Sequence, residues 1–171
     1  MISGIKIPDS KIAREAAELV RQHESVLLFN HSVRVFLFGA MKGIRQNLKF
    51  DPELLYVAAL FHDLGLVDTY HTEKKRFEVD GADAAREFLT SRGIPDPKAD
   101  LVWEAIALHT TPGILNICGP RSLSPTRVFW WTSSELDTMI IHRSNGPKSS
   151  PAFLAAMISR TNLSRFRLTR L

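Results

Sequence analysis

Apolar residues recur at helical spacing through the first two-thirds of the chain, and no strand-like alternation of apolar and polar positions persists. Asp9 or Ser10 can cap a first helix running to about His23, with Ile12, Ala16, Leu19 and Val20 on one face. A second helix is expected from about Leu27 to Gly43. A third starts near Asp51-Pro52, where proline suits a first helical turn, and it continues through the unbroken apolar run Leu54 to Phe61 into His62-Asp63. Two more are expected over Gly81 to Ser91 and Ala99 to Thr110, separated by the breaker Gly93-Ile94-Pro95-Asp96-Pro97. The pattern predicts an all-α bundle. With 171 residues and 44% apolar content, the chain can bury one real core.

The chemistry is concentrated where that apolar run ends. An imidazole beside a carboxylate is costly to bury unless something positive sits between them, and a divalent metal is the usual answer. His62-Asp63 therefore reads as half of a metal site, with the other half upstream at His31, among Val35, Phe36 and Phe38. The competing reading is a set of hydrogen-bonded core histidines. His109 lies on the expected inner face of its helix, while His23, His71 and His142 show no ligand spacing.

The segment Thr69 to Asp80 follows the pair and is polar. Read as a lid or substrate-facing loop, it brings Lys74, Lys75 and Arg76 near the metal, and Glu78 becomes the acid/base candidate because Phe77 and Val79 flank it. The alternative is a solvated loop. Cations there would suit a phosphoester; a tight apolar pocket lined by Phe61, Phe77 and Trp103 would suit a small neutral molecule.

Four segments carry a family likeness: Phe29-Asn30-His31-Ser32-Val33-Arg34-Val35, Ala59-Leu60-Phe61-His62-Asp63-Leu64-Gly65, Arg76-Phe77-Glu78-Val79-Asp80-Gly81-Ala82 and Ala105-Ile106-Ala107-Leu108-His109-Thr110-Thr111. Together they resemble the HD-domain metal-dependent hydrolases, on the branch that includes cyanamide hydratase, over residues 8–114. The resemblance implies an HD-type helical bundle binding a divalent metal such as Zn, Fe or Mn through His31, His62 and Asp63. It also implies that His109 faces substrate or a second metal. Glu78 and His109 are then the catalytic candidates, and Lys74, Arg76, Phe77 and Trp103 the substrate-binding ones.

The chain divides at Ile114, into an HD-type domain over 1–114 and a tail over 115–171 that the resemblance does not cover. Up to Pro120 there are 14 Lys/Arg against 16 Asp/Glu; from Arg121 onward there are 8 against 2. The tail's arginines are scattered among serines without a stripe, so neither nucleic acid nor membrane is expected as a partner. We read the tail as out of frame, the other reading being genuine divergence. Tryptophan has one codon, so a frame that takes the third base of one codon and two bases of the next must read Leu-Val-Asp across Phe129-Trp130-Trp131-Thr132. That aspartate falls at Thr132, where the resemblance implies the distal metal ligand; Glu135 and Asp137 are the nearby substitutes.

The expected activity is addition of water to a small molecule, a cyanamide-like nitrile being favoured. An HD phosphohydrolase is the second expectation. The third is a non-catalytic remnant or binding module lacking its last ligand. A lone Cys118 offers no disulfide framework, and the N-terminus lacks a signal-peptide core, so a soluble cytoplasmic protein is expected, with homo-oligomerisation left open. Resequencing the gene beside intact relatives should reveal a one-base insertion or deletion between codons 114 and 129. An intact frame there removes the frameshift reading.

Overall fold

The computed structural model describes residues 4–111, and among them the secondary structure is helical. The helices are α1 (Lys11–His23), α2 (Val26–Arg45), α3 (Pro52–Phe61), α4 (Phe77–Thr90) and α5 (Asp96–Ala107), with one 3-10 turn at Leu64–Leu66. The all-α expectation is met. Residues 115–171, with the Thr132, Glu135 and Asp137 positions, lie outside the described residues.

Helix starts follow local chemistry. Ser10, not Asp9, caps α1, its hydroxyl oxygen accepting from the Ala13 N–H at 3.1 Å. Ser25 does the same for α2 through Leu28 at 3.2 Å. Asp51 caps α3 by accepting from Glu53 and Leu54, with Pro52 in the first turn. Residues Leu54 to Phe61 are all buried, which is what a helix apolar on every side requires. Helix α3 is accordingly the centre of the bundle, touching α1, α2, α4 and α5. Phe36 packs edge-on against Tyr56, and Phe61 tilts against Phe88, so the faces on either side of α3 are closed by aromatic pairs.

Three sequence expectations need correction. Helix α3 ends at Phe61, so His62 and Asp63 stand just beyond it and not within it. Helix α4 begins at Phe77, four residues before Gly81. Glu78 and Asp80 therefore belong to its first turn, where carboxylates favour the positive helix end, and not to a loop. Asp80 also fastens the preceding segment by accepting from the Thr72 N–H and hydroxyl, both at 2.8 Å. Helix α5 starts inside the segment read as a breaker: Pro97 sits in its first turn, where the missing N–H costs nothing. It ends at Ala107, leaving His109 just past its terminus.

Gly81 marks a close approach instead of a helix start. A Cβ on Gly81 would meet the Phe61 carbonyl oxygen at 2.6 Å, and one on Gly65 would meet the Phe77 carbonyl oxygen at 2.0 Å. Backbone thus lies against backbone where α4 crosses the end of α3. Side chains cannot yield at such a contact, so Gly65→Ala should destabilise the protein by about 1–3 kcal/mol or more in urea unfolding. Wild-type stability in this variant would disprove the close crossing.

Candidate metal centre

Alternating helix directions bring the C-terminal ends of α1, α3 and α5 to the N-terminal parts of α2 and α4. Each contributes at least one group at this pole of the bundle: Glu24 after α1, His31 on α2, His62 and Asp63 after α3, Glu78 on α4 and His109 after α5. The last turns of helices leave carbonyls without intrahelical partners, and two histidines use them in the same way. His62 Nδ1 lies 2.8 Å from the Ala59 carbonyl oxygen, and His109 Nδ1 lies 2.7 Å from that of Ile106. A carbonyl only accepts, so each Nδ1 carries a proton, and the ring in its neutral form presents its Nε2 lone pair elsewhere.

Both lone pairs turn toward Asp63. Its carboxylate stands 3.2 Å from His62 Nε2, 3.5 Å from His31 Nε2 and 3.8 Å from His109 Nε2. The two nitrogens of His31 and His62 are themselves 3.3 Å apart. Unshared pairs and a carboxylate facing one another repel unless a proton or a cation lies between them. The titration behaviour follows. Burial works against charge on His62, yet the adjoining Asp63 carboxylate outweighs it and raises the pKa. Burial acts on Asp63 too, but the surrounding imidazoles hold its pKa down at about 2. Burial and the His62 charge depress His31, and the same two causes bring His109 to about 4.

The donor set fits a divalent metal. One ligand atom each from His31, His62 and Asp63 lies within 4.8 Å of the others, two imidazoles and an ionised carboxylate, all at least partly buried. This cluster could hold the ion that the sequence implied.

The remaining candidates divide. His109 is buried, edge-on to His62, and Phe77 packs edge-on against it in turn. Glu78 is buried and ionised; burial raises its pKa, but hydrogen bonds from Thr110 and Arg76 outweigh that and lower it. Arg76 donates to Glu78 at 2.5 Å and to the Thr110 hydroxyl at 2.8 Å. Lys74 is exposed. Lys75 pairs with Asp83 at 2.6 Å, and Trp103 donates to the same carboxylate at 2.7 Å. Phe61 is a core residue against Phe88. Among the described residues no helix is long and apolar enough to cross a membrane.

Sequence reasoning missed Glu24. It is only 8% exposed, and neither carboxylate oxygen has a hydrogen-bond partner among the described residues. Ser32 stands beside it, but that hydroxyl donates to the Leu28 carbonyl at 3.2 Å. Burial pushes the Glu24 pKa up to about 7, against the pull of His62. Nothing in the polar run Arg21 to Ser25 signals that one of its members turns inward.

The sequence matches the HD domain family over residues 28–146, a span that includes Thr132 and reaches well past Ile114. Two curated proteins of Saccharomyces cerevisiae, Cyanamide hydratase DDI2 and Cyanamide hydratase DDI3, are each 34% identical to it over 107 residues. That alignment covers 60% of this chain and 47% of each relative, so the chain spans about half the length of the curated relatives it matches.

The depressed His109 pKa makes stability depend on pH in the metal-free protein. Because the folded value of about 4 lies below the ordinary 6.5, the contribution of neutral His109 is complete above pH 6.5 and is lost as the pH falls through 4. The unfolding free-energy difference between wild type and His109→Asn should therefore shrink by roughly 2–3 kcal/mol from pH 7 to pH 4. A difference independent of pH would show that His109 is not held neutral.

Proposed function

The chain belongs to the HD domain family, and we propose that it is a metal-dependent hydratase or hydrolase that adds water to a small neutral electrophile, a nitrile such as cyanamide being the favoured substrate. The observation that carries this reading is the convergence of His31, His62 and His109 on the Asp63 carboxylate. Zn, Fe or Mn suits two imidazoles with a carboxylate. Such an ion would supply Lewis acidity and bring the pKa of water toward about 7.

The protein's own groups do the rest. His31, His62 and Asp63 would hold the ion. Neutral His109 takes the proton from an attacking water through Nε2, since its Nδ1 is committed to Ile106, and passes it to the substrate nitrogen as the carbon–oxygen bond forms. Its low affinity for that proton favours the second half of the transfer, from Nε2 to the substrate nitrogen. Glu78, fixed by Thr110 and Arg76, sets the electrostatic field beside His109 and orients a polar hydrogen of the substrate. Phe77 forms the apolar wall against His109.

A neutral substrate is favoured over a phosphoester because two of the three candidate cations are already engaged, Lys75 by Asp83 and Arg76 by Glu78. The names of the two yeast relatives point the same way. In this reading Lys74 and Trp103 serve substrate less directly, Trp103 by bracing Asp83 beneath the connecting segment.

The test joins metal content with turnover. Purified protein loaded with Zn and desalted should hold about one ion per chain by elemental analysis, and His62→Ala or Asp63→Ala should lose it while His23→Ala keeps it. With metal bound, cyanamide should be hydrated, and His109→Asn should lower kcat by about 10²–10⁴-fold. Turnover confined to phosphoesters would favour the phosphohydrolase. Neither metal nor turnover would favour a non-catalytic module.

A further inference from the structure

Glu24 and Ser25 are all that separates α1 from α2. The turn is pinned on both sides: the Glu24 N–H donates to Val20 at 2.8 Å, and the Ser25 hydroxyl oxygen caps α2. Around it the chain faces water, with His23, Ser25, Val26 and Leu27 exposed and Val26 and Leu27 more than three-quarters so. A glutamate in such a turn ordinarily hydrates its carboxylate. Here the side chain is folded inward, within electrostatic reach of His62 and Asp63, and neither oxygen accepts a hydrogen bond among the described residues, the neighbouring Ser32 hydroxyl donating to the Leu28 carbonyl instead. Burying a carboxylate without a partner is among the more costly arrangements in a protein, and a cation at the adjoining cluster offsets that cost.

The charge count identifies what is wanted. Among the described residues, His31, His62 and Asp63 offer a dication one negative charge, leaving the site with one positive charge in excess. A second buried carboxylate brings it to neutrality. We propose that Glu24 is the second negative charge of the metal centre, a buried counter-charge beside His62 and Asp63 that neutralises a dication held by His31, His62 and Asp63. The inference rests on the metal-centre reading above and assigns a role to a residue outside the four segments that carry the family likeness.

Two effects of opposite sign distinguish this role from a structural one. In the full chain, Glu24→Gln keeps the shape and removes the charge. Without metal it should raise the melting temperature, because an unpartnered carboxylate no longer has to stay buried. With metal it should weaken Zn²⁺ binding by roughly 10–100-fold, measured by competition with a chromophoric chelator, the loss seen when a supporting group of a metal site is removed. Glu18→Gln, an exposed carboxylate on α1, should change affinity less than about twofold. Unchanged Zn²⁺ affinity in Glu24→Gln, with His62→Ala still losing the ion, overturns the role of Glu24 and leaves the metal centre standing. A Glu24→Gln protein that is less stable without metal, or fails to fold, shows that the carboxylate already has a partner and also overturns it. Wild-type protein that takes up no Zn²⁺, or His62→Ala that retains it, removes the metal centre and the counter-charge together.

Discussion

The Asp63 carboxylate has three imidazole nitrogens within 3.8 Å, and this juxtaposition sets the terms for the rest of the pole. Each ring alone could be an ordinary buried histidine. Together they present ring nitrogens to a carboxylate in a largely buried region, where a proton on one of the nitrogens or a cation at the centre relieves the repulsion. In the metal-free chain a proton can serve, which is why His62 is drawn toward its charged form while His31 and His109 are pushed from theirs. A divalent ion satisfies all the groups at once.

Precision at this pole comes from backbone. The two Nδ1 positions are fixed by carbonyls that helix termination leaves open, one at the end of α3 and one at the end of α5. Had α3 continued through His62 and Asp63, Asp63 would have followed helical geometry away from the neighbouring rings. Just past Phe61, where α3 ends, Gly65 and Gly81 admit α4 to backbone contact. That crossing also delivers Glu78 and Phe77 to the side of His109, so one packing contact places both His62-Asp63 and the groups flanking them.

The polar groups around the centre differ in how they are compensated. Glu78 is buried but held by Thr110 and Arg76, and it stays ionised. Asp80 is spent on Thr72, and Asp83 on Lys75 and Trp103. Glu24 differs from these carboxylates in accepting no hydrogen bond among the described residues. The segment before α4 is thus stitched to that helix by Asp80 and Asp83, with Lys75 among the fastenings.

Much of the described fold was legible because periodicity and capping act locally: Ser10, Asp51 and Pro52 mark helix starts through their own hydrogen bonds and dihedrals, and the run Leu54 to Phe61 can only be a buried centre. His31, His62 and Asp63 were legible because their side chains have few inexpensive ways to share an apolar interior. What the sequence could not decide was where helices stop and which polar residues turn inward. Gly81 looked like a helix start, although its lack of a Cβ matters for a neighbour 20 residues away, the carbonyl of Phe61. Pro97 looked like a breaker, although a proline in a first turn begins a helix as readily as it ends one. Glu24 sits in a polar turn whose neighbours face water; only the meeting of α1, α2 and α3 puts its carboxylate beside His62. Local chemistry is written in neighbouring residues, whereas burial and the charge a group faces are set by chain segments that come together only in the tertiary structure.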